Sequence, residues 1–118
     1  MRIVVGGQMD KQSIARALQD IAGDKITIQI KSDIEATIAI QTGQADYYLG
    51  ACSTGAGGAL GIATGLLGFD KCVSVSTPAK TMTQEEINAE VKKGKVAFGF
   101  VNYDIEKVVP MILNAILK

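Results

Sequence analysis

The chain has 118 residues, nearly half of them hydrophobic and a fifth charged. That suits one soluble domain with a core of its own and leaves no room for a second. Twelve basic residues balance twelve acidic ones, which argues against a nucleic-acid surface and against a polybasic membrane anchor. There is no histidine, and Cys52 and Cys72 do not form a Cys-x-x-Cys. Neither a metal site nor a cofactor is therefore expected. The start shows no signal-peptide pattern, so the expected compartment is the reducing cytoplasm with both thiols free.

Ile3-Val4-Val5 is a short apolar run ending at Gly6-Gly7, which predicts a strand buried on both faces and then a turn. Asp10 is placed to cap a helix that carries Ile14, Ala17, Leu18 and Ile21 on one face and stops at Gly23. Ile26, Ile28 and Ile30 alternate with polar residues, the pattern of a strand at a sheet edge. Ser32-Asp-Ile-Glu35 is a capping box for a second helix ending at Gly43. Asp46-Tyr-Tyr-Leu49 reads as a third strand, running into a glycine-rich loop from Gly50 to Gly57 and a helix from about Thr54 to Leu67. Lys71 to Ser76 is a fourth strand, closed by Thr77-Pro78. Thr83-Gln-Glu-Glu86 is a capping box for a short helix to Gly94. Val96 to Val101 is a fifth strand. Asn102 is placed to cap the last helix, whose stripe is Ile105, Val108, Val109, Ile112 and Ile116. Pro110 lies off that stripe and should kink the helix.

Strand and helix thus alternate throughout, which implies parallel strands joined by right-handed crossovers. Residues 1–118 are expected to form a single α/β domain. The expected architecture is a three-layer α/β/α sandwich on a five-stranded parallel sheet of flavodoxin- or Rossmann-like order 2-1-3-4-5. Ligands of such sheets bind beyond the carboxyl ends of the strands, at the switch point between strands one and three.

The span from Gly55 to Gly68 holds six of the 13 glycines. Gly7, Gln8, Ser53, Thr54, Gly55, Ala56 and Gly57 fall where strands end and a helix begins. Backbone N–H groups and the helix dipole there suit a phosphate or carboxylate, and the Ser53 and Thr54 hydroxyls add donors. The spacing is neither Gly-x-Gly-x-x-Gly nor a P-loop, and a tight strand-to-helix turn without ligand is the other reading. Cys52 ends the third strand just before a helix, a placement that lowers a thiol pKa from about 8.5. It is the candidate catalytic residue, against the alternative of a small buried hydrophobe. Cys72 reads as structural.

Gly57, Gly61 and Gly65 recur every four residues and flatten one helix face. Glycine costs up to about 1 kcal/mol per helical position relative to alanine, so a close contact should offset it. That contact is either the helix of a second subunit, making a homodimer, or tight packing on the sheet. A membrane helix is disfavoured, because the charge-free run from Tyr47 to Phe69 mixes strand-like and helix-like halves. Asp10, Gln8 and Asp33 can orient a ligand hydroxyl or amine. Asp46 belongs at the opposite end of the sheet. Asn102, Tyr103 and Lys80 lie near the rim, and Thr77 to Met82 can form a lid.

Asp46-Tyr-Tyr-Leu-Gly-Ala-Cys-Ser-Thr-Gly-Ala-Gly57 and Gly94-Lys-Val-Ala-Phe-Gly99 are the motifs by which the whole chain resembles a small bacterial family, the YhfU-like proteins of unknown function. The resemblance implies a cytosolic bacterial protein encoded among metabolic enzymes. Cys52-Ser-Thr-Gly-Ala-Gly57 followed by Ala59-Leu-Gly-Ile-Ala63 also resembles the loop after strand three in the ribose-5-phosphate isomerase B family. That likeness implies Cys52 as catalytic base and the backbone of Thr54 to Gly57 as the enediolate-stabilising loop. The family's histidines are missing, and Gly-Gln-Met-Asp stands where it has Asp-His. Phosphocarrier subunits of sugar transport systems share a cysteine before a glycine-rich loop, but theirs follows the first strand.

Three functions follow as expectations: a binder of a small phosphate- or carboxylate-bearing metabolite, an isomerase-like enzyme with Cys52 as base, or an accessory dimer with no ligand.

Overall fold

The computed structural model describes residues 1–53 and 57–117, with residues 57–59 described as backbone only. Five strands and five principal helices alternate: β1 (Arg2–Gly7), α1 (Lys11–Ala22), β2 (Thr27–Ile30), α2 (Asp33–Gln41), β3 (Tyr47–Cys52), α3 (Gly57–Leu67), β4 (Cys72–Ser74), α4 (Gln84–Lys92), β5 (Ala97–Val101) and α5 (Ile105–Ile116). All pairings are parallel, and helices cover both faces of the sheet, giving the three-layer sandwich.

The strand order is 2-1-3-5-4, so the expected 2-1-3-4-5 is corrected at its last two places. The reason lies in the strands themselves. Ala97-Phe-Gly-Phe-Val101 is buried along its whole length and takes an interior position between β3 and β4. β4 has only three residues, of which Val73 and Ser74 are only partly buried, and it forms the edge. The swap also moves a helix. A right-handed crossover lies on one face when it runs one way across the sheet and on the other when it runs back. The return from β4 to β5 therefore puts α4 beside α5, with α1 on α5's other flank, while α2 packs on α3 on the opposite face.

Two cores result. One joins Ile3, Val5, Leu49, Phe98 and Phe100 of the sheet to α1, Ile87 of α4 and the buried stripe of α5. The other joins Val4, Tyr48, Cys52 and Ala97 to Ala36 and Ala39 of α2 and Leu60 and Ala63 of α3. Strand periodicity explains the split: Leu49 and Ala51 face one layer, Tyr48 and Cys52 the other.

Local signals held unevenly. Thr83 and Glu86 form the full capping box at α4, and Ser32 caps α2 by accepting from the Glu35 N–H. Asp10 makes no side-chain cap bond to α1; it sits in the left-handed region with φ 53°. Asn102 does not cap α5 either, because a short 3-10 turn, Asn102–Asp104, intervenes. The helix α5 continues as one element through Pro110. The third strand runs to Cys52, so Gly50, Ala51 and Cys52 are ladder residues rather than loop: Gly6 pairs Gly50, and Gly7 pairs Ala51.

Candidate functional site

The carboxyl ends of β1, β3 and β5 lie side by side, and the chain leaves them toward both faces of the sheet. After β1 it folds over β3. The N–H groups of Gln8 and Met9 both donate to the Ala51 carbonyl, at 3.1 and 3.3 Å. The next residue, Asp10, accepts a 3.1 Å hydrogen bond through its carboxylate from the Asn102 side-chain amide at the end of β5. Residues 8–10 therefore strap three strand ends together. A non-glycine residue at φ 53° is uncommon, and aspartate tolerates that region better than most. Asp10 and Asn102 head an open groove of about 580 Å³ between α1 and α5, whose walls include Ser13, Arg16, Tyr103 and Glu106.

The β1–β3 approach is close. A Cβ on Gly7 would stand 2.7 Å from the Ala51 nitrogen, and Gly7 itself has φ +80°. A Cβ on Gly6 would stand 2.7 Å from Cε2 of Tyr48, and one on Gly50 would stand 3.0 Å from its Cε1. These glycines make room for the Tyr48 ring. The Tyr48 hydroxyl accepts from the Gly7 N–H at 2.9 Å. Burial pushes the phenol well above its ordinary pKa, and the nearby Asp33 carboxylate adds to the rise. Asp33 opens α2, and its Oδ1 is buried with no hydrogen-bond partner among the described residues.

Of the residues read from the sequence as anion ligands, Gly7 and Gln8 reach the rim with their N–H groups already bonded to Tyr48 and Ala51. They give the rim its shape. Ser53 is exposed just beyond β3. Thr54, Gly55 and Ala56 lie outside the described residues, and Gly57 is the first residue of α3. Cys52 is 3 % exposed and packs in the α2/α3 core. Cys72 is also buried, no disulfide joins the two, and burial pushes the Cys72 thiol up.

Lys80 and Asp46 are each held by an ion-pair partner. Lys80 pairs with Glu86 at 3.3 Å, and its turn is held by hydrogen bonds between Thr77 and Lys80 and from Met82 to Val75. Asp46 lies at the far end of the sheet, where Arg2 holds it through the backbone N–H at 2.7 Å and the guanidinium at 3.2 Å. Those contacts hold its carboxyl below the usual range. Among the described residues, no helix is long and apolar enough to cross a membrane.

The sequence reading treated Tyr48 as strand filler and missed its part under the rim. The signal that finds it is the placement of glycines at Gly6 and Gly50 on strands that pair in parallel. The Asp10–Asn102 bond joins residues 92 positions apart, which no local pattern carries.

The fold is that of known isomerases. Ribose-5-phosphate isomerase B from Giardia lamblia superposes with a TM-score of 0.74 at 17% identity, covering 100% of this chain and 94% of that one. The ribose 5-phosphate isomerase of Thermotoga maritima superposes at 0.73 and 12% identity, covering 99% and 86%. At the level of sequence, the uncharacterized protein YhfU of Escherichia coli (strain K12) is 35% identical over 113 residues, 96% of each chain. The YhfU protein of Shigella flexneri matches equally well. Residues 1–116 match the DUF2620 family, described as a protein of unknown function, and the chain belongs to that family.

Proposed function

We propose that the protein binds a small, hydroxylated, anionic metabolite at the rim formed by the ends of β1, β3 and β5. The observation that carries this reading is the strap itself. Residues 8–10 are bonded across β3 to Asn102 beside the start of α3, at the switch point where ligands of open α/β sheets bind. The division of labour is chemical. Ser53 and the first turn of α3 take the phosphate or carboxylate, where the helix dipole favours negative charge. The Asp10 carboxylate, the Asn102 amide and the buried Asp33 Oδ1 accept from or donate to hydroxyls. Arg16 supplies the cationic side chain within the neighbouring groove.

A thermal-shift series with ribose 5-phosphate, inorganic phosphate and small hydroxy acids tests it. A ligand present at about a hundred times its dissociation constant stabilises the fold by about 2.7 kcal/mol, a readily measured rise in Tm. Ser53→Glu should abolish the rise without unfolding the protein, since Ser53 is exposed. No shift with any of these compounds at millimolar levels sinks the proposal.

The second reading is an isomerase-like enzyme with Cys52 as base, favoured by the fold shared with ribose-5-phosphate isomerase B. It requires the substrate to reach a thiol that is 3 % exposed. Alkylation of Cys52 measured across pH, with activity of Cys52→Ala toward ribose 5-phosphate, decides it. An alkylation rate typical of a buried thiol, or undiminished activity in the variant, removes it.

A further inference from the structure

We infer that the outer face of α2 and α3 is the contact surface for a second copy of this chain. The inference stands independently of any ligand at the rim. Ile34 and Ile38 stand one turn apart on α2, and Ile62 and Leu66 one turn apart on α3. Each is between 38 % and 54 % exposed. The Gln41 side-chain amide donates to the Leu66 carbonyl at 3.3 Å, which ties the two helices together. On α3 the same outward face carries Gly61 and Gly65, and a Cβ at either would meet nothing within 4 Å. Close packing on the sheet therefore does not explain these two glycines. A helix apolar on all sides is normally covered on all sides, and one glycine every turn is a cost without a neighbouring chain to offset it.

Two features select a second copy as the occupant. A two-fold axis brings a face against itself, so any charge on that face would meet its own likeness. This face has little: α3 carries no charged residue, and the exposed side of α2 carries only Glu35, in its first turn. A partner of different sequence is chosen largely by charge complementarity, and the face offers little for that. The face also holds both halves of a fit. Gly61 and Gly65 form a notch, and Ile62 and Leu66 rise beside it. Crossing helices can then seat the ridge of each copy in the notch of the other. The sequence pointed to Gly57, Gly61 and Gly65 as the interface; the structure adds the isoleucines of α2, so the surface spans two helices.

Light scattering coupled to size exclusion, over a range of protein concentration, tests this. The wild type should run at twice the 12.4 kDa chain mass. Ile38→Lys combined with Ile62→Lys should weaken self-association by about a hundredfold or more, because each lysine would be buried unpaired in the interface. Both positions are exposed in the single chain, so its circular dichroism should not change. A second variant, Gly65→Cys, should form a covalent dimer on mild oxidation, as both native cysteines are buried. A wild type that stays monomeric throughout overturns the inference, even if the face then captures a different protein. So does a double-lysine variant that remains dimeric. If that variant fails to fold, Gly65→Cys decides alone: cross-linked dimer supports the interface, and its absence overturns it.

Discussion

The two helical layers differ in how they meet the sheet. The α1/α4/α5 layer rests on large side chains, with Phe98, Phe100, Leu49 and Ile3 beneath it. Its outer surface is charged, with Arg16 and Asp20 on α1, Glu85 and Lys92 on α4, and Glu106 on α5. The α2/α3 layer rests on small residues. Gly6 and Gly50 leave only enough height for one aromatic ring, Tyr48, and the helices answer with Ala36, Ala39 and Ala63. Its outer surface is mostly isoleucine, leucine and glycine, with Glu35 and Gln41 of α2 beside them. One layer is held by bulk inside and solvation outside. The other is held by close approach inside and remains largely apolar outside.

The largest way to break the contrast is on the bulky side. Phe98 is fully buried beneath the α1/α4/α5 layer. Phe98→Ala should cost about 3–5 kcal/mol, read as a lower midpoint in urea unfolding. A loss under about 1 kcal/mol would mean that the layer collapses into the space, contrary to a close-packed interior.

The thin side should fail in the opposite sense, by addition. Gly6→Ala places a methyl 2.7 Å from the Tyr48 ring, and overpacking of this kind costs about 1–3 kcal/mol. The ring is pinned from the far end by the Gly7 N–H, so it cannot swing away freely. The same urea titration checks this, and an unchanged midpoint would show that the approach is not tight.

The smallest effect concerns the polar exterior. Thr83 caps α4, and Thr83→Ala should cost about 1 kcal/mol. The Thr83 backbone N–H, and after it Lys80, hold the Glu86 carboxyl below its ordinary value of 4.5. A depressed carboxylate contributes stability that is present above the unfolded pKa and lost as pH falls through the folded one. The advantage of wild type over Glu86→Gln should therefore be full near neutrality and shrink below about pH 4. An advantage that grows in acid would contradict the capping box.

Much of the α2/α3 layer was legible in the sequence because its signal is local. The glycine spacing on α3 and the Ser32 cap are patterns within one or two turns. The glycine-rich loop after β3 was legible as composition only. The rim was not, for a physical reason: Asp10 serves Asn102 instead of its own helix, and a capping residue looks the same in sequence whichever partner it chooses. Tyr48 was hidden likewise, since its hydroxyl partner lies on another strand.

Alternation of strand and helix fixed the fold class, the number of strands and the parallel sheet, since crossover helices leave a short chain few other options. The apolar runs marked which strands are buried. Tertiary structure alone decided that β5 lies inside β4, because that order depends on which strand buries more apolar surface against two layers at once. It also decided that Gly6, Gly7 and Gly50 serve one aromatic ring and a close strand pair. Gly61 and Gly65, by contrast, are left facing outward. A glycine looks the same in a sequence whether it makes room for a neighbour, takes a positive φ or faces open space; only the packed chain shows which.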